Sequence, residues 1–101
     1  MKIPKKIKIL GFYWSIIFNQ NVNNEGNNFG STHFNSQNIF LEPKSTNQKK
    51  EQCFLHEVLH AIWWQMGLAE RYKETPKLEE EVVATLSQGL YQVLKDNNLL
   101  K

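Results

Sequence analysis

The hydrophobic period of this chain changes once, near Pro43, and that single change limits what the chain can fold into. Before it, apolar residues keep the two-residue rhythm of a strand; after it they keep the 3.6-residue rhythm of a helix. KKIKI (5–9) alternates charged and apolar side chains, Gly11 interrupts, and FYWSIIF (12–18) is rich in β-branched and aromatic residues. That pair predicts a hairpin. FGSTHF (29–34) and NIFLE (38–42) predict a second pair of short strands, turned at Asn35–Ser36–Gln37 and stopped by Pro43. Between the pairs lies the asparagine-rich NQNVNNEGNN (19–28). Asn and Gly tolerate left-handed backbone angles, so this stretch predicts a flexible surface loop.

Past Pro43, Ser45 followed by Gln48 reads as a capping box, and Gly67 as a helix stop. Leu55, Val58, Leu59, Ile62 and Met66 recur at helical spacing and predict one core-facing stripe. The stretch LAERYKETP predicts a loop through Pro76 into a second helix. Its stripe would be Val83, Leu86, Leu90 and Leu94, ending at Asp96–Asn97–Asn98. Strands followed by helices predict an α+β domain: a small antiparallel sheet of three to four strands packed with two main helices. At 101 residues and 41% apolar content the whole chain, 1–101, suits a single domain with one modest core.

Charge and cysteine usage narrow the setting. Twelve Lys plus Arg against ten Asp plus Glu give a net charge of +2. That balance gives no reason to expect nucleic acid or a membrane surface as partner. The N-terminal lysines (2, 5, 6 and 8) and Lys49–Lys50 read as a solvated strand edge and a helix start. Cys53 is the only cysteine, which leaves no intrachain disulfide and no cysteine-built zinc site. MKIPKKIKIL has positive charge but no long apolar run, so no signal peptide is expected. A soluble cytoplasmic protein is the expectation.

Within the first helix sits FLHEVLHAIWW (54–64), with two histidines four apart and a glutamate after the first. Successive helix residues turn by about 100°, so with Leu55 at zero His56 and His60 fall at about 100° and 140°. Both imidazoles lie on one flank beside the stripe, where packed backbone can hold them and one side stays open. Glu57 points elsewhere but can reach a water on a bound metal; H-E-x-x-H encodes that division of labour. A third ligand is available in LEEEVVATL (78–86). With Val83 at zero, Glu80 lies at about 60°, bordering the stripe, while Glu79 sits near its other edge and Glu81 points away. Glu80 is the preferred ligand. Glutamates at a helix start also complement its dipole, which is the main reading of Glu81 and balances the ligand reading for Glu79.

HEVLH followed by a glutamate-bearing second helix resembles the glutamate-ligand zincins, or gluzincins. The run from FLHEVLHAI to EEEVVATLSQGLYQVLKDN resembles small metallopeptidase-like proteins encoded by phages and prophages, which are more distantly similar to ImmA/IrrE-type peptidases. The likeness implies a minimal zincin-like fold, one Zn2+ per chain on His56, His60 and Glu80, with Glu81 as an adjacent alternative, Glu57 as general base, and a peptide or protein substrate. It also implies a bacterial host cytoplasm. One departure stands out: no histidine follows the motif to serve as a transition-state donor, and His33 reads as an ordinary polar strand residue. Tyr72 and Tyr91 are the candidate phenols. NIFLE is the expected edge for pairing a substrate backbone. Trp63 is expected to cap the core, Trp64 to face the other way, and Cys53 to be a small buried or half-buried residue. The competing expectation is a non-catalytic zinc-stabilised phage interaction protein, in which the metal staples two helices.

Overall fold

The computed structural model describes residues 1–19 and 30–100. The fold is α+β. Strands β1 (Lys6–Ile9), β2 (Phe12–Phe18), β3 (Gly30–His33) and β4 (Asn38–Leu41) form one sheet. Helices α1 (Asn47–Gln65), α2 (Leu68–Arg71) and α3 (Pro76–Asp96) follow. Most of the expected loop at 19–28 falls outside the described residues.

Turn chemistry sets both hairpins. Leu10 and Gly11 both take positive φ, 49° and 91°, the mirror-image turn whose twist matches that of paired strands. Gln37 turns the second hairpin at φ 55°. The sheet order is β1-β2-β4-β3, and it departs from the expected all-antiparallel pairing. β2 and β4 run parallel, Ser15 opposite Asn38 through Phe18 opposite Leu41. Side-chain alternation is the same for parallel and antiparallel neighbours, so the pattern along each strand is blind to this difference. A second correction follows. NIFLE is an interior strand, and the two edges are β1 and β3.

The sheet buries Ile9, Trp14, Ile16, Ile39 and Leu41 against Phe54 and Ala61 of α1. α1 thus lies between two layers, touching the sheet on one side and α3 on the other. This moves the core line away from the expected stripe. The buried residues of α1 are Glu51, Phe54, Glu57 and Ala61, while Met66 is 61% exposed. On the Leu55 wheel that line is centred at about 260°, roughly 100° from the apolar stripe. Leu59 and Ile62 line an apolar recess against α3 with Val82, Val83 and Leu86, and Ile62 also packs on the core cluster. α3 likewise buries Val83, Ser87 and Tyr91 and leaves Leu86, Leu90 and Val93 largely exposed. Partnered polar groups have taken the inward positions there: Tyr91 donates to Glu51 at 2.6 Å across the α1–α3 contact.

The caps shift by one residue. Thr46, not Ser45, accepts from Lys49 N (3.2 Å), while the Ser45 hydroxyl donates to the Glu42 carbonyl. Gly67, at φ 79°, ends α1 as expected. The first four residues of LAERYKETP form the single turn α2 rather than loop, and Pro76 opens α3. Among the described residues no helix is long and apolar enough to cross a membrane.

Candidate metal centre

A walk around α1 explains what its motif faces. α3 covers the side of Leu59 and Ile62, β3 meets the side of Glu57, and His56 and His60 open into the cleft between them. The HEVLH spacing thus aims the two imidazoles into a groove and the glutamate onto the wall beside it. α3 runs back along α1 and brings its first turns to the same groove.

There the Nε2 atoms of His56 and His60 lie 3.2 Å apart. Glu80 presents one carboxylate oxygen to each, Oε1 at 3.1 Å from His56 Nε2 and Oε2 at 2.9 Å from His60 Nε2. Of the three acidic candidates, Glu80 joins both rings, as preferred. Glu81 is exposed and is not a member of the cluster. Glu79 has a different place: its Oε2 sits 2.5 Å from His60 Nδ1.

The outer contacts fix which ring nitrogens face inward. A carboxylate only accepts, so His60 Nδ1 carries the proton and donates it to Glu79. Ser87 Oγ donates to the Ala84 carbonyl (3.1 Å) and therefore faces His56 Nδ1, 3.5 Å away, as an acceptor. Both Nε2 atoms then present lone pairs to each other and to a carboxylate. Three acceptors within about 3 Å repel unless a cation or a proton lies among them. Ligands around a tetrahedral zinc at 2.0–2.1 Å are separated by about 3.3 Å, close to the spacings here. Two nitrogens and a carboxylate oxygen are a zinc donor set, and imidazoles oriented through Nδ1 are its usual support. The residues fit a divalent metal.

Glu57 is 7% exposed. Its Oε1 accepts from Thr32 Oγ1 at 2.7 Å, and the same hydroxyl lies 3.2 Å from the Glu57 carbonyl. Burial pushes its carboxyl above the usual range, against the opposing pull of the Thr32 hydroxyl and the two histidines. His56, Glu57, Glu80 and Gly30 separate two recesses. One, of about 280 Å³, runs toward Gln52, Cys53 and Gln88; the other, of about 370 Å³, runs along Ser31, Thr32 and Phe34 of the β3 side. Glu80, its side chain 63% exposed, leaves the centre open to solvent.

Several sequence expectations move. Tyr91 shares Glu80's side of α3 but lies eleven residues on, about 16 Å down the helix, and its hydroxyl is spent on Glu51. Tyr72 packs against Trp63, and His33 lies edge-on to Phe40 while its Nε2 meets Ser31. None of the three lines the cleft. The two tryptophans exchange roles: Trp64 stacks on Phe34 and meets Trp14 edge-on in the core, and Trp63 faces Tyr72. Cys53 is half-buried, as expected.

Three functional partners were missed. Ser87 had a signal, since it falls two helical turns after Glu80 on the same side. Glu79 had a weaker one, as a neighbour of the chosen ligand. Thr32 had none, because its position depends on how β3 docks. No family model, no curated protein and no solved structure matches the chain.

Proposed function

We propose that the protein is a zinc-dependent metallopeptidase. The observation that carries this reading is the convergence of His56 Nε2, His60 Nε2 and the Glu80 carboxylate within 2.9–3.2 Å, with a buried carboxylate on the adjoining wall. Zinc bound there would supply Lewis acidity and bring the acidity of a nearby water close to neutral. His56 and His60 would hold the ion through Nε2, their Nδ1 protons committed to Ser87 and Glu79. Glu80 would contribute the third donor and the charge. Glu57, with Oε1 held by Thr32, uses Oε2 to take the proton from the attacking water and return it to the departing amine nitrogen. β3, an edge strand among the described residues, borders the recess and offers main-chain groups to an extended peptide, the role expected of NIFLE. The phage or prophage origin and the bacterial cytoplasm rest on the sequence resemblance and the single cysteine.

A second reading is favoured by one observation: much of the apolar face of α3 is exposed, and the ligand cluster is one of the contacts that join α3 to α1. A metal there would act as a staple in a non-catalytic interaction protein. Two measurements separate the readings. Protein purified without a histidine tag should carry about one zinc per chain. E57Q should keep that zinc and lose peptide hydrolysis. No hydrolysis in the zinc-loaded wild type would leave the staple, and hydrolysis retained by E57Q would remove Glu57 from the mechanism.

A further inference from the structure

The geometry points to the edge strand β3 as the element that sets the general base, with Thr32 as a positioning residue and Gly30 as the space that lets it act. This rests on the reading of Glu57 as proton acceptor. The register places Gly30 opposite Leu41 and Thr32 opposite Ile39, both partners fully buried, so positions 30 and 32 share the sheet face that α1 covers. Strand periodicity then turns both toward Glu57. Thr32 Oγ1 donates to Glu57 Oε1 at 2.7 Å and lies 3.2 Å from the Glu57 carbonyl, so one hydroxyl meets both the carboxylate and the backbone that carries it. Two steps along, a Cβ at position 30 would stand 3.0 Å from Glu57 Cγ, 3.2 Å from Leu41 Cδ2 and 3.2 Å from the Phe40 carbonyl oxygen. An alanine there would make the Glu57 side chain give way by a few tenths of an ångström.

The arrangement divides the two carboxylate oxygens. Oε1 is fixed to the strand, and Oε2 is left to move the proton. A carboxylate free to rotate would reach the same point only part of the time, and an ångström of misplacement is enough to cost two orders of magnitude in rate. The strand that carries Thr32 is also, among the described residues, a sheet edge beside the recess. A peptide laid on that edge bears on the element that holds the base.

The test uses the full chain with T32V, which keeps volume and strand preference but removes the donor, and T32S, which keeps the donor. The first readout needs no metal and no turnover: the carboxylate stretch of Glu57, isolated as the infrared difference between each protein and its E57Q counterpart. T32V should shift this band and T32S should leave it in place. The second readout is kcat and KM on labelled casein with zinc-loaded protein. T32V should lower kcat by about 10- to 100-fold at unchanged zinc content and unchanged KM, T32S should restore it, and G30A should lower kcat as T32V does. An unmoved band in T32V, or wild-type kcat in T32V, overturns the inference. If wild-type protein cleaves nothing, the peptidase reading fails on its own, and the infrared comparison still decides whether Thr32 sets Glu57.

Discussion

His60 is held at both ring nitrogens: Nδ1 by Glu79 and Nε2 within the cluster. That double engagement gives Glu79 a role distinct from its neighbour's. Removing its charge should loosen the ring without removing a ligand, so E79Q is expected to weaken zinc binding by about 10- to 100-fold. Zinc competition with a chelating dye measures this, and E80Q, which removes a ligand, should be worse. Equal affinities for E79Q and wild type would deny Glu79 that role. At the far end of α1, Glu51 accepts from Tyr91 and pairs with Lys95 at 3.6 Å and the Met1 amino group at 2.9 Å. The Tyr91 hydrogen bond, followed by the Met1 amino group, holds the Glu51 carboxyl below its usual value. Burial, with the Glu51 carboxylate beside it, pushes the Tyr91 phenol up to about 12. The signs are opposite. A depressed Glu51 stabilises above the ordinary carboxylate range, and that support is lost as pH falls through its folded value. A raised Tyr91 stabilises below about pH 10, and that support is lost as pH climbs toward about 12. Y91F should therefore lower the melting temperature at neutral pH by removing about 1.5–3 kcal/mol and flatten both limbs of a stability–pH curve. A Y91F curve parallel to wild type would contradict this.

Each helix shows where periodicity informs and where it misleads. Gly67, Pro76 and Asn98 mark boundaries through backbone constraints that act locally, and all three were legible. The buried line of α1 was not, because periodicity finds where apolar residues lie and not how two covering layers divide a helix between them. Leu55, Leu59 and Ile62 give the apolar direction, yet the sheet takes the side of Phe54 and Ala61, with Glu57 inward only because Thr32 partners it. The one-residue cap shift is of the same kind: Ser45 and Thr46 carry equally competent hydroxyls, and the backbone places Thr46 at the cap. T46A should then cost about 1 kcal/mol while S45A costs less, as chemical denaturation of the two variants would measure. The reverse order would return the cap to Ser45. The grouping of His56, His60 and Glu80 was legible for a different reason. Residues four apart on one helix share a flank in any fold, whereas Thr32 needed the docked sheet.

The whole molecule separates its charges. Residues 1–19 and 30–41 contain no carboxylate and carry Lys2, Lys5, Lys6 and Lys8, while Glu57, Glu79 and Glu80 gather around two imidazoles at the cleft. A net charge of +2 conceals this, and an excess of negative charge at the cleft favours a cation there. Because the donors come from α1 and α3, an ion binding only the folded chain should stabilise it, by about 2.7 kcal/mol at a hundredfold excess over Kd. Zinc should raise the melting temperature of wild type, a chelator should reverse the rise, and H56A/H60A should respond to neither. The most direct test is anomalous diffraction at the zinc edge from crystals of the zinc-loaded protein. The expected result is one peak per chain, about 2.0–2.2 Å from His56 Nε2, His60 Nε2 and a Glu80 oxygen. A map without that peak, or with zinc held elsewhere and these three side chains apart, would contradict the shared metal centre on which the proposed chemistry depends.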